Sequence, residues 1–135
     1  MQPGRFDEGQ LLASEPDVYG GPRVGTTSRM QLQWLVNDPR ATICQEAFAP
    51  GEEVSWAFWH SEVHIILSGE AEVSYTLPPN HRKVVTRTYG PGDTYLIPDG
   101  ARLTTKVTSD VPYVHIGVIM PRVWHSREEL TDSYE

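Results

Sequence analysis

From Met30 onward the sequence consists mainly of short β-type runs that alternate with turn-forming segments. Eight such runs follow one another: MQLQWLV, ATICQEAFA, EVSWAFW, EVHIILSGEAEVSYTL, RKVVTRTY, DTYLIP, RLTTKVT and YVHIGVIM. The segments between them, such as NDPR, PGE, LPPN and GPGD, supply Gly, Pro, Asn and Asp, which reverse the direction of a chain. Strands this short and this closely spaced predict an all-β fold, an antiparallel sandwich or barrel.

The two ends of the chain differ from this pattern. Residues 1–28 are rich in Gly, Pro, Asp and Ser and predict an extended N-terminal arm, which wraps the domain or a neighbouring molecule. Near the other end, Ser126 precedes Glu129 in a capping-box pattern, so residues 123–135 are predicted to form a tail or a short helix. The expected domain is one β-barrel over residues 29–122, flanked by these two segments.

Composition limits the partners and the location that we expect. The 135 residues suffice for one domain, and a net charge of -7 without any basic stripe argues against nucleic acid and anionic membranes as partners. Cys44 is the single cysteine, and its apolar strand predicts a buried, inert thiol. No apolar stretch approaches the roughly 18 residues of a membrane span and no signal-peptide pattern opens the chain, so we expect a cytoplasmic protein.

Two motifs between about Ala41 and Arg122 resemble those of the cupin superfamily. The first is a Pro-Gly pair at Pro50 and Gly51, followed by Glu62 and by the strand IILSG. The second is GPGDTYLIPDG, which begins at residue 90. This resemblance implies a single-domain jelly-roll β-barrel with its functional site inside the barrel.

The sequence departs from the cupin motifs where that family usually binds a metal ion. The resemblance aligns Trp56, Phe58 and Leu103 with three of the usual histidine ligands, and none of these side chains offers a lone pair to a metal. The first motif is instead similar to that of ethanolamine-utilisation cupins, which also carry Trp and an apolar residue there. The mechanism of metal-dependent cupins therefore does not transfer directly to this chain.

Strand alternation predicts which side chains face the interior. If Glu62 points inward as the resemblance implies, His64 shares its face, because side chains alternate along a strand. In YVHIGVIM, His115 lies on the face opposite the apolar row that contains Val114, and this strand is expected to pair with that of His64. His60 lies in the turn just before. The opposite parity, with His115 outside, stays open.

These residues allow two interpretations. The first is a metal site of non-standard composition, for zinc, iron or nickel, made by His60, His64 and His115 with Glu62 as a fourth ligand. The second is structural: His64 and His115 are hydrogen-bonded barrel residues, His60 is a solvent-exposed turn residue, and Glu62 holds a structural partner.

The apolar residues near this cluster predict the ligand. Trp56 and Phe58, with Tyr95, favour a flat hydrophobic or aromatic molecule over a sugar or a phosphate, although core packing explains the same residues. Arg102, expected at the mouth of the barrel, is a candidate for steering a carboxylate.

Two functional hypotheses follow. The first is a small enzyme of lyase, isomerase, cyclase or decarboxylase type that uses Glu62, His64 and His60 for acid–base chemistry, with the pKa of Glu62 raised by burial. The second is an accessory or sensor protein that binds a small molecule without metal or chemistry. In either case the outward row of the same two strands, which includes Val63, Ile65 and Val114, predicts a homodimer through this sheet.

Overall fold

The computed structural model describes residues 3–21, 25–58 and 60–120, and side chains are described outside residues 17–29. Within these residues the chain is all-β with one short helix. The elements are α1 (Glu8–Ala13), β1 (Asp17–Gly21), β2 (Gly25–Asp38), β3 (Ala41–Phe48), β4 (Glu53–Ala57), β5 (Ser61–Ser68), β6 (Ala71–Thr76), β7 (Val85–Tyr89), β8 (Thr94–Ile97), β9 (Arg102–Val107) and β10 (Tyr113–Met120). No helix in the described part of the chain is long and apolar enough to cross a membrane.

The strands form two antiparallel sheets that face each other. The larger sheet has the order β1-β2-β3-β10-β5-β8, and the smaller has the order β4-β9-β6-β7. Strands from the two sheets share the buried clusters, for example Ile66 and Tyr113 of the larger sheet with Val54 and Val107 of the smaller. The core therefore lies between the sheets, as expected for the predicted jelly-roll barrel.

The alternation predicted for the two central strands is confirmed. In β5 the buried residues are Glu62, His64 and Ile66, whereas Ile65 is exposed on the other face. β10 pairs with β5 on one side and with β3 on the other. Its residue His115 is fully buried on the interior side, so the alternative in which it faces outward is wrong.

Gly69 shows why the first motif ends in glycine. Its backbone has φ of +77°, and a Cβ atom at this position would lie 2.3 Å from the carbonyl oxygen of Pro112. Both the left-handed backbone and this close approach exclude a side chain. The turn between β5 and β6 can therefore pass directly against the start of β10.

The N-terminal segment forms regular structure where an extended arm was predicted. Helix α1 begins at the N-cap Asp7, whose side chain accepts a hydrogen bond from the Gln10 amide, and the segment continues into β1. Leu11 is fully buried and packs with Ala47 and Val114 on the outer face of the larger sheet. The short helix thus stands at the N-terminus. The helix predicted within residues 123–135 lies outside the described residues.

Candidate functional site

A cavity of about 70 Å³ lies between the sheets, large enough for several water molecules or a small organic molecule. Its lining is mostly apolar and includes four aromatic side chains, Trp34, Phe48, Trp56 and Phe58. Four side chains able to exchange protons also reach it, namely Cys44, Glu46, Glu62 and His64. The structure thus brings Trp56, Phe58, Glu62 and His64 to one cavity, on the face that strand alternation predicts.

Glu62 is held between two histidines. Its Oε2 atom lies 2.8 Å from Nε2 of His60, and its Oε1 atom lies 2.8 Å from Nε2 of His64. All three residues are buried, with exposed fractions of 3% for His60, 5% for Glu62 and 7% for His64. His60 is therefore not the solvent-exposed turn residue that the structural interpretation assumed.

The hydrogen bonds fix the charge of Glu62. Burial by itself raises the pKa of a carboxyl group, but the hydrogen bonds from His60 and His64 outweigh it and lower the pKa of Glu62 to about 2. The expectation of a raised pKa is therefore wrong. It considered burial alone, whereas the two imidazole donors stabilise the ionised form. Because an ionised carboxylate only accepts hydrogen bonds, both Nε2 atoms carry hydrogen and donate.

Two tyrosines extend this network away from Glu62. The hydroxyl of Tyr95 lies 3.1 Å from Nδ1 of His64, and it lies 3.2 Å from the hydroxyl of Tyr113. When Nε2 of His64 alone carries hydrogen, Nδ1 accepts from the Tyr95 hydroxyl, and when both nitrogens carry hydrogen, that hydroxyl accepts from Nδ1. Burial raises the pKa of Tyr95, and it raises that of Tyr113 to about 12, so both hydroxyls keep their protons at neutral pH.

His115 stacks on His64. The two ring centroids are 4.2 Å apart and the rings are inclined by 26°. The residues are not directly opposite, because His64 pairs with Gly117 and His115 with Ile66, but they share one face of the sheet. Burial, followed by the neighbouring His64, lowers the pKa of His115, which makes its ring neutral near pH 7. Its Nδ1 atom has no hydrogen-bond partner among the described residues.

Cys44 and Glu46 complete the cavity wall, and sequence reasoning did not select Glu46. In the ladder between β3 and β10, Glu46 is opposite His115 and Cys44 is opposite Gly117. The Cys44 thiol lies 3.2 Å from Oε1 of Glu46, and burial raises the pKa of this thiol well above its ordinary value. The prediction of a buried, inert thiol agrees with this burial and this raised pKa. The one sequence feature that could have indicated Glu46 is its charge within the otherwise apolar run ATICQEAFA.

Comparisons with known proteins identify the architecture. No protein-family model matches the chain, and no curated protein matches it significantly. Among solved structures, a cupin superfamily protein from Desulfitobacterium hafniense matches with a TM-score of 0.55 and 17% identity, over 73% of this chain and 83% of that one. The chain has the cupin fold.

Two further structures show how varied the proteins with this fold are. Drosophila melanogaster CENP-C, solved bound to CAL1, matches with a TM-score of 0.61 and 17% identity, over 79% of this chain and 83% of that one. EutQ from Clostridium difficile matches with a TM-score of 0.56 and 16% identity, over 71% of this chain and 65% of that one. Like the first match, these two show the jelly-roll fold that the sequence resemblance to cupins implies. Oxalate oxidase also matches, so the cupin fold does not choose between catalysis and binding.

The two other residues predicted for the site, Tyr95 and Arg102, do not line the cavity of Glu62. Tyr95 reaches the site through His64, but it lines a second apolar cavity together with Tyr75 and Tyr89. Arg102 is exposed and alternates with the buried Leu103 along β9, so it lies in an outer groove and not in the cavity of Glu62. A role for Arg102 in steering a ligand carboxylate into that cavity has no support in this placement.

The predicted metal ligands do not converge on one point. Among the described residues, no three His, Cys, Asp or Glu side chains are arranged to hold a metal ion. The Nε2 atoms of His60 and His64 are directed to the two oxygens of Glu62, and Nε2 of His115 lies 3.7 Å from Oε1 of Glu46. This donor set does not fit the zinc, iron or nickel ion considered from the sequence.

Proposed function

We propose that this cupin barrel binds a small, partly apolar organic molecule between its sheets and transfers protons to or from it, in a reaction of lyase, isomerase, cyclase or decarboxylase type. The observation that carries the proposal is the Glu62 carboxylate, buried in the wall of an apolar cavity and fixed between two imidazoles. A carboxylate–imidazole pair held in the wall of an apolar cavity is well suited to general acid–base chemistry.

The network assigns different parts to its members. Since Glu62 stays ionised, a proton taken up by the pair resides on His64, and the carboxylate at 2.8 Å stabilises the resulting imidazolium. In that imidazolium the second hydrogen is on Nδ1, where the Tyr95 hydroxyl accepts it, while Nε2 still donates to Glu62. His60 holds the other carboxylate oxygen and acts as a positioning residue.

The aromatic side chains would position the bound molecule. Phe58 contacts both imidazoles edge-on, with ring centroids 5.9 Å from His60 and 6.5 Å from His64. Together with Trp56 it forms the apolar wall beside Glu62. A molecule held against this wall excludes water from the carboxylate, which strengthens the electrostatic interactions of the site.

A second candidate is a binding protein without chemistry. The low pKa of Glu62 makes this carboxylate by itself a weak base, and aromatic residues replace the usual metal-binding histidines. Both features suit a barrel that recognises a small ligand and releases it unchanged.

Deuterium exchange separates the two candidates without knowledge of the reaction. The full chain is incubated in D2O with a panel of small ketones, aldehydes, amino ketones and 2-oxo acids, and NMR follows the loss of the protons next to each carbonyl. We expect accelerated exchange for at least one class of compound. Glu62→Gln should slow that exchange by about 100-fold, the smaller end of what general acid–base catalysis contributes.

The matched control is Glu72→Gln, the same substitution at an exposed position of β6, which should exchange like the wild type. If panel members bind, as detected by broadening of their signals, but none exchanges faster than in buffer, the binding protein is the correct description.

A further inference from the structure

Among the described residues, Glu46 lacks the imidazole donors within hydrogen-bond distance that Glu62 has. Its side chain is 12% exposed, and its described contacts are the Cys44 thiol at 3.2 Å and Nε2 of His115 at 3.7 Å. The thiol is a neutral donor, and His115 is a fully buried imidazole whose lowered pKa leaves it neutral. No Lys or Arg appears among the residues that line the cavity in the described part of the chain.

Glu46 and Glu62 approach each other over Gly117. A Cβ atom at Gly117 would lie 3.0 Å from Oε1 of Glu62 and 3.4 Å from Oε1 of Glu46. The missing side chain thus leaves room for two carboxylates on one wall of the cavity. The His60 and His64 donors satisfy the first, but the second has only a weak thiol donor and a distant ring nitrogen. A carboxylate in such an apolar wall is stabilised more by a cationic donor than by these neutral neighbours.

The rest of the lining suits a positive charge. Trp34, Phe48, Trp56 and Phe58 line the same cavity as Glu46. The faces of aromatic rings attract cations, and Trp does so most strongly. The whole chain carries a net charge of -7, which favours the approach of a cation over that of an anion.

We infer that the ligand of this cavity carries a small protonated amine, which donates hydrogen bonds to Glu46 while its short apolar chain lies among the aromatic rings. The inference rests on the proposed function only in placing the ligand in the same cavity. It replaces the flat hydrophobic or aromatic ligand that the sequence favours with an amphipathic cation, and it makes Glu46 a specificity residue separate from the Glu62–His64 pair.

Three probes of equal chain length test the charge preference: butylammonium, 1-butanol and butyrate. Binding of each to the full chain is measured by titration with ligand-observed NMR. We expect butylammonium to bind about tenfold more tightly than 1-butanol, from one charge-assisted hydrogen bond and the aromatic contacts, and butyrate to bind most weakly. Equal affinity for the three probes, preference for butyrate, or no binding of butylammonium would overturn the inference.

Two variants of Glu46 locate the preference. Glu46→Gln should lower the affinity for butylammonium to that for 1-butanol and leave 1-butanol unchanged, and Glu46→Asp should keep most of the preference because it keeps the charge. Glu72→Gln is the matched surface control. An unchanged preference in Glu46→Gln would place the cation elsewhere and contradict the inference. If the wild-type chain prefers butylammonium but accelerates no deuterium exchange, only the proposed chemistry is refuted.

Discussion

Glu62 is the residue in which burial and hydrogen bonding oppose each other most directly. Burial favours the neutral carboxyl group, whereas two imidazole donors at 2.8 Å favour the carboxylate. The hydrogen bonds outweigh burial because each imidazole donates to a different oxygen of the carboxylate. The same arrangement makes the folded state depend on the ionisation of one side chain.

The pH dependence of stability should reveal this residue. The pKa of Glu62 is lowered from 4.5 to about 2 in the folded state. A lowered pKa stabilises the fold in full above the unfolded value, and this stabilisation is lost as the pH falls from 4.5 through about 2. Denaturant unfolding should show Glu62→Gln to be less stable by about 2 kcal/mol at pH 6, since it loses charged hydrogen bonds. The difference should shrink toward pH 2, and a difference independent of pH would contradict the assigned pKa.

For single residues, the sequence predicts which face of a strand a side chain lies on better than it predicts which side chains it contacts. Alternation along β5 was sufficient to place Glu62 and His64 in the interior, because a strand exposes every second side chain to the same side. It could not select Glu46, because the cavity position of Glu46 depends on the register between β3 and β10, strands about 70 residues apart in the chain. The charge of Glu62 was likewise beyond reach, since it depends on the rotamers of His60 and His64.

Among the elements, α1 shows how tertiary contacts create local structure. A helix of six residues is not stable by itself, and the composition of its segment favours an extended arm. Leu11 provides the missing stabilisation, because it is fully buried against Ala47 and Val114 on the outer face of the larger sheet. Short amphipathic segments of this kind escape sequence analysis, since the surface that they cover is made by distant strands.

Truncation of Leu11 should release α1. Leu11→Ala removes a fully buried side chain and is expected to lower the free energy of unfolding by about 2–5 kcal/mol. Because the contact lies on the outer face, the hydrogen bonds of Glu62 should persist. The deuterium exchange proposed for the cavity of Glu62 should then be retained at temperatures where the variant is folded. Val84→Ala, at a side chain that is 66% exposed, should change stability by less than about 0.5 kcal/mol. Equal effects of the two substitutions would mean that α1 does not dock.

At the scale of the whole molecule, the outer face of the larger sheet remains only partly covered. Helix α1 packs over Val114 and Leu67, but Ile65 is 36% exposed, and Leu96 on the neighbouring strand is 61% exposed. These two side chains belong to the end of the sheet formed by β5 and β8, away from the helix contact. We therefore propose that a second copy of the chain covers this end, in a symmetric homodimer.

Light scattering tests this assembly. The mass of one chain is 15.2 kDa, and we expect about twice that mass at micromolar concentration. Ile65→Asp should shift the mass to that of a single chain, because it places a charge in the proposed contact, while Val84→Asp, at an exposed residue just before β7 of the smaller sheet, should not. A wild-type mass near that of one chain would show that α1 by itself provides sufficient cover.

The position of β10 has a consequence for how the protein is made. This strand is the last of the described strands to be synthesised, yet it lies in the middle of the larger sheet, between β3 and β5. Until it leaves the ribosome, both neighbours have an unpaired edge, and strand edges of this kind are prone to aggregation. The cavity also lacks Ile119 from its wall until then. The larger sheet and its cavity therefore cannot close before β10 has been synthesised, however early the other described strands emerge.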